Sequence, residues 1–120
     1  MSDLAQVTFG KRGTVWLVVV RGEIDMSNAQ QVADELRSSI PNQAEAVILD
    51  LSQTSYLDSR GISLLFQMAR RLNMRGQQMA LAVPDDAPIR SVLSLTGVNS
   101  VAEIYPSVGE AESKVLILDH

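Results

Sequence analysis

Apolar positions in this chain follow two periods. Val7-Thr8-Phe9 and Thr14 to Arg21 are short runs rich in β-branched residues, separated by Gly10-Lys11-Arg12-Gly13, which predicts an N-terminal hairpin. The second run is apolar at consecutive positions, as expected of a strand covered on both faces. Ala46 to Leu51, interrupted by Asp50, and Met79 to Val83 have the same character; Val101 to Tyr105 is a weaker strand. Between these runs the period becomes helical. Ala29, Val32, Ala33, Leu36 and Ile40 mark one helix, opened by a Ser27/Gln30 capping-box spacing and ended by Pro41-Asn42. Ile62, Leu65, Phe66, Ala69 and Leu72 mark a second, ended by Gly76.

A shorter helix follows Pro84-Asp85-Asp86-Ala87-Pro88, with Ile89, Val92 and Leu93 on its apolar stripe and Gly97 at its end. Ser107 and Glu110 repeat the capping-box spacing before Val108, Ala111, Val115 and Leu118, although Val115 to Leu118 also reads as a strand. Gly22-Glu23-Ile24-Asp25 reads as a strand break, and Ser52 to Asp58 as a polar connection. After the hairpin, strands and helices alternate. This predicts one α/β domain over residues 1–120: a mostly parallel sheet of four or five strands, an antiparallel N-terminal strand, about four helices and right-handed crossovers.

Composition narrows the chemistry. The 120 residues include one Trp, two Tyr and two Phe, so the core must be aliphatic. With no Cys, thiol chemistry and thiolate metal sites are excluded. The single His is His120, a terminal residue expected to fray, which argues against a zinc or His-dependent site. A net charge of -4 without a basic run disfavours nucleic acid. Arg70, Arg71 and Arg75 read as a solvated helix face, and Met26, Met68, Met74 and Met79 as core or rim filler. Met1-Ser2-Asp3-Leu4 lacks the basic start and apolar run of a signal peptide, and Val15 to Val20 is too short to cross a bilayer. The expectation is a cytoplasmic protein without membrane insertion or cofactor.

Ligands of such sheets gather beyond the carboxyl ends of the strands. Two strand-to-helix connections, Gly22 to Ser27 and Ser52 to Gly61, would bring Glu23, Asp25, Asp58 and Ser59 to one edge if their strands are neighbours. By local sequence alone Ser59 reads as a helix N-cap and Asp25 as a turn residue.

Four landmarks in order, Gly22-Glu23-Ile24-Asp25, Leu49-Asp50-Leu51, Leu57-Asp58-Ser59-Arg60-Gly61 and Leu95-Thr96-Gly97-Val98, resemble bacterial anti-sigma factor antagonists of the STAS fold; Tyr105-Pro106-Ser107 resembles the approach to that family's last helix. The resemblance runs from about Val7 to Ala111. It implies that Ser59 is phosphorylated by the partner, an ATP-binding anti-sigma factor that is also a serine kinase. The unmodified protein binds that partner and frees the sigma factor; phosphorylation ends binding, and a metal-dependent serine phosphatase restores it. Glu23, Asp25, Ser27, Asp58, Arg60 and Gly61 would form the partner-binding edge. Arg60 departs from the small residue many relatives carry there, which bears on partner choice.

Other readings stay open. STAS domains also serve as subunits of lipid-transport ATPase complexes and as stress-signalling scaffolds. Ser52, Thr54 and Ser55 offer further hydroxyls near Ser59. Glu23, Asp25 and Asp58 could be imagined as paired carboxylates or a Mg²⁺ site, but neither His nor Cys accompanies Ser59, and no Walker-type loop is present, so catalysis is not expected. The expected oligomeric state is a monomer or weak dimer.

Overall fold

The computed structural model describes residues 5–118; the expectations placed on Met1 to Leu4 and on His120 lie outside the described residues. The elements are β1 (Gln6–Arg12), β2 (Val15–Ile24), α1 (Ala29–Ser39), β3 (Ala46–Asp50), β4 (Thr54–Leu57), α2 (Ser59–Met74), β5 (Gln78–Ala82), α3 (Pro88–Thr96), β6 (Glu103–Tyr105) and α4 (Val108–Leu118). The sheet runs β1-β2-β3-β5-β6. β1 is antiparallel to β2, and the β2–β3, β3–β5 and β5–β6 pairs are parallel. The five-stranded path and four helices are those expected.

Three local readings need correction. The hairpin strands are longer than their apolar runs, because Gly10 to Arg12 pair with Leu17 to Val15 and the turn closes at Gly13, where φ is +63°. Gly22 does not break β2: it takes a φ of 98° at a bulge, and the strand continues to Ile24. The polar connection after β3 contains a sixth strand, β4, which pairs in parallel with the last residues of β2. β2 therefore changes partner along its length, β3 beside Val15 to Val19 and β4 beside Gly22 to Ile24.

The aliphatic core lies mainly on one face of the sheet. Val18, Val20, Leu49 and Leu81 meet Val32 and Leu36 of α1 and Leu65 and Leu72 of α2 there. On the other face, Ala111 and Val115 of α4 cover Ala46, Ile48, Ala80 and Ala82. This second layer rests on β3, β5 and β6. Leu17 and Val19 are thus only partly buried, and β2 is not fully covered on both faces. Ile62 and Phe66 sit at the rim of the α2 stripe, whose buried members are Leu64, Leu65, Met68, Ala69 and Leu72. Val92 on α3 is exposed rather than packed. Val115 to Leu118 are helical, and Ser107 Oγ accepts from the Glu110 N–H, 3.2 Å, as its spacing implies.

Of the four methionines read as core or rim filler, Met68 and Met79 are core, while Met26 and Met74 stand in solvent. Arg70 lies over the Phe66 ring, 5.7 Å from its centroid. No helix among the described residues is long and apolar enough to cross a membrane.

Candidate functional site

β4 brings the two strand-to-helix connections together. Because β2 and β4 are parallel neighbours, both chains leave the sheet side by side, one into α1 and one into α2. The Asp58 N–H donates to the Ile24 carbonyl at 3.2 Å, extending the pairing past the strand. Glu23, Asp25, Asp58 and Ser59 therefore share one edge, the condition of neighbouring strands being met by β2 and β4, and Ser27, Arg60 and Gly61 lie on the same two segments.

Asp58 is the keystone. It is the N-cap of α2: Oδ1 accepts from the N–H groups of Arg60 at 2.9 Å and Gly61 at 3.0 Å. Oδ2 accepts from the Met26 N–H of the other loop at 2.9 Å. One carboxylate thus closes a helix end and ties both connections together. The Gly61 N–H does most to hold the Asp58 carboxyl below its ordinary value of 3.8; desolvation opposes it, and the Met26 and Arg60 N–H groups and the Arg60 charge add to the lowering.

Gly61 makes the second tie. A Cβ there would lie 2.9 Å from the Ile24 carbonyl oxygen and 3.0 Å from Leu57 Cδ2. Only a hydrogen at this position lets α2 lie against the end of β2.

The first loop is held differently. Ser27 is not the cap of α1. Its N–H and hydroxyl both bond Asp25 Oδ1, a turn folded on itself. Asn28 precedes the helix but makes no side-chain cap. It turns backward instead: Oδ1 accepts from the Asp25 N–H at 3.0 Å and Nδ2 donates to the Glu23 carbonyl at 2.8 Å. Asn28 is 2% exposed, and sequence reasoning missed it. Its only signal is an amide next to a helix start, where a backward-facing role cannot be told from a cap. The Glu23 side chain is exposed, and it is the Glu23 carbonyl that anchors the loop.

Ser59 occupies the first position of α2, one residue inside the cap, and is exposed. With Asp58 capping, the N-cap reading of Ser59 is overturned. Of the neighbouring hydroxyls, Ser52 and Ser55 are exposed, whereas Thr54 is buried and donates to the Val20 carbonyl at 2.8 Å. The imagined carboxylate pair is engaged elsewhere: Asp25 with Ser27, Asp58 with three backbone donors. Among the described residues no group of three His, Cys, Asp or Glu side chains is placed to hold a metal ion.

The cavity beside Ser59, between α1 and α2 and lined by Met26, Arg60, Ser63 and Leu64 among others, measures about 90 Å³. Small-molecule sites span roughly 300–1,000 Å³. Exposed Met26 and Tyr56 flank the loops. Fold and site together define an α/β domain that displays a capped helix start on its surface, beside a cavity below the size of small-molecule sites.

That class has a family. The chain belongs to the STAS domain family, whose model matches residues 6–111. It is similar to the anti-sigma F factor antagonist of Paenibacillus polymyxa, 25% identical over 92 residues that cover 76% of this chain and 78% of the relative. The crystal structure of an anti-sigma factor antagonist from Mycobacterium paratuberculosis superposes with a TM-score of 0.83 at 24% identity, covering 96% of this chain and 98% of that one. The Bacillus cell fate determinant SpoIIAA in its phosphorylated form superposes with a TM-score of 0.65 at 21% identity, covering 92% and 98%.

Proposed function

We propose that this protein is an anti-sigma factor antagonist switched at Ser59. Its unmodified form binds an anti-sigma factor serine kinase through the edge carrying Glu23, Asp25, Ser27, Asp58, Arg60 and Gly61. Phosphorylation of Ser59 ends that binding, and a serine phosphatase restores it. The protein acts in the cytoplasm as substrate and ligand, not as an enzyme. The observation that carries this reading is the exposed Ser59 hydroxyl at the first position of α2, with capping already supplied by Asp58.

A phosphate at Ser59 would act without refolding the domain. A helix N-terminus ordinarily welcomes an anion. Here the Arg60 and Gly61 N–H groups already serve Asp58. A phosphate on Ser59 adds about -1.5 to -2 charges beside a carboxylate held ionised. It therefore projects outward, into the space a partner must occupy. A charge desolvated without its counterpart in an interface costs on the order of 2–5 kcal/mol, enough to shift affinity by orders of magnitude. Arg60, exposed and next in sequence, can offset part of this charge in the free protein, leaving the penalty concentrated in the complex.

The test is a pull-down from the native organism with unmodified protein and Ser59→Glu as baits. An anti-sigma kinase captured by the first and lost on the second supports the switch. A transporter ATPase captured equally by both overturns it. A partner anti-sigma factor bound equally by phosphorylated and unmodified protein keeps the antagonist and removes the role of Ser59.

A further inference from the structure

The solvent face of α2 is cationic along its second half. Gln67, Arg70, Arg71 and Met74 follow the three- and four-residue spacing of one helix face, and Arg75 continues it at the helix end. All five are exposed and line one open depression of about 480 Å³. From Ser59 to Arg75 the chain has four arginines and neither Asp nor Glu, whereas the remaining residues include six basic against fourteen acidic side chains. Among the described residues the ion pairs belong to Arg12, Arg37 and Arg90, so Arg70, Arg71 and Arg75 have no carboxylate partner.

Helix stability does not account for this group. A basic last turn complements the helix dipole, but Arg71 and Arg75 are like charges four residues apart, which works against the helix. Met74, 87% exposed among the guanidinium groups, adds nothing to the core.

The same features suit an interface. Arginine and methionine are enriched where proteins meet, and the guanidinium fork matches a carboxylate. Arg70 is steadied over the Phe66 ring, which lowers the cost of ordering it in a complex. Nucleic acid is the poorer match. Its phosphates would run past these two helical turns onto a surface whose charge is otherwise acidic, and Met74 offers them nothing. The complementary occupant is short, acidic and partly apolar.

We infer that this face of α2 docks an acidic amphipathic segment of a protein partner, with carboxylates on Arg70, Arg71 and Arg75 and an apolar side chain against Met74. The inference does not depend on the reading of Ser59.

The probe is a peptide of glutamates with leucine at every fourth position, titrated into the isotope-labelled full chain and followed by amide chemical shifts. Its control carries glutamine in place of each glutamate. The expected result is saturable shifts centred on Gln67 to Arg75. Affinity should fall about tenfold when Arg70→Gln, Arg71→Gln and Arg75→Gln are combined, since each exposed ion pair contributes modestly. It should fall also for the glutamine peptide and for Met74→Ser. These positions are exposed, so the variants keep the fold. No saturable shift at millimolar peptide, or shifts unchanged in the triple variant, overturns the proposal. A DNA duplex that binds this face more tightly than the peptide overturns it in favour of nucleic acid. A dimer in sedimentation that the triple variant dissolves overturns it in favour of a second copy of the chain.

Discussion

The two helices that meet at the candidate site begin in opposite ways. α2 begins with a side chain reaching forward, Asp58 onto the Arg60 and Gly61 N–H groups. α1 begins with a side chain reaching backward, Asn28 onto the Asp25 N–H and the Glu23 carbonyl, while the Asp25 carbonyl takes the N–H groups of Asn28 and Ala29. One start fixes its helix, and the other fixes the loop before it. Asp58 then joins them through the Met26 N–H. The lesson is a division of labour. Buried or shared groups (Asn28, Gly61, Asp58) hold the shape of the edge, which leaves Ser59 free of structural duty.

The largest effect belongs to Gly61. Gly61→Val places branched carbon where even a Cβ is 2.9 Å from the Ile24 carbonyl oxygen, and should cost about 3 kcal/mol, as overpacking does. Urea unfolding measures it. Gly61→Ala should cost less, since Ala recovers about 1 kcal/mol of helix propensity over Gly. Equal stability of all three proteins would mean that the two loops are not locked at this point.

Asn28→Ala comes next. It strands the Glu23 carbonyl and the Asp25 N–H in a loop where the amide is 2% exposed, and should lower stability by about 2 kcal/mol. Ser27→Ala, which loses only an exposed hydroxyl bond to Asp25, should change stability by less than about 0.5 kcal/mol. The reverse ranking would restore Ser27 as the cap of α1.

These contrasts also show which features the sequence disclosed. β3 and β5 were legible because strands buried in a parallel sheet are continuously apolar, β2 because it carries a similar apolar run although Leu17 and Val19 are only partly buried, and α1 and α2 because their stripes keep the helical period. β4 was hidden: of its four residues only Thr54 and Leu57 are buried, while Ser55 and Tyr56 face solvent. Two inward residues in four carry no period. Gly22 suggested a break because glycine weakens strands, but a bulge uses the same freedom and lets the strand continue. The landmarks located the edge; the neighbourhood of β2 and β4, which creates it, lies in long-range pairing that no local pattern encodes. Asn28 failed for a related reason, since a side chain turned backward leaves no signature distinct from a cap.

Acid distinguishes Asp58 from its neighbours. Its folded-state pKa lies below the ordinary 3.8, so the stability it adds is fully present above 3.8 and is lost as pH falls through the lower folded value. Asp58→Asn should remove this acid-labile increment: wild type should be the more stable protein near neutrality, with the gap closing as pH falls below 3.8. Thermal melts of both proteins across that window measure it. A gap independent of pH would mean that Asp58 works by shape rather than by charge.

The smallest structural effect should accompany the largest functional one. Ser59 is exposed at the first position of α2 and supplies no cap. Ser59→Ala should therefore alter unfolding free energy by no more than about 0.5 kcal/mol, the usual range for surface positions. The same substitution should abolish phosphate incorporation by the partner kinase, read by intact-mass measurement, while leaving partner binding in place. The two readouts separate the possibilities. Loss of stability in Ser59→Ala would make the hydroxyl part of the scaffold, on a par with Asn28. Continued phosphorylation would move the switch to Ser52 or Ser55, the other exposed serines of this connection. A stable, binding-competent protein that accepts no phosphate is the outcome expected where capping and switching fall to adjacent residues, Asp58 and Ser59.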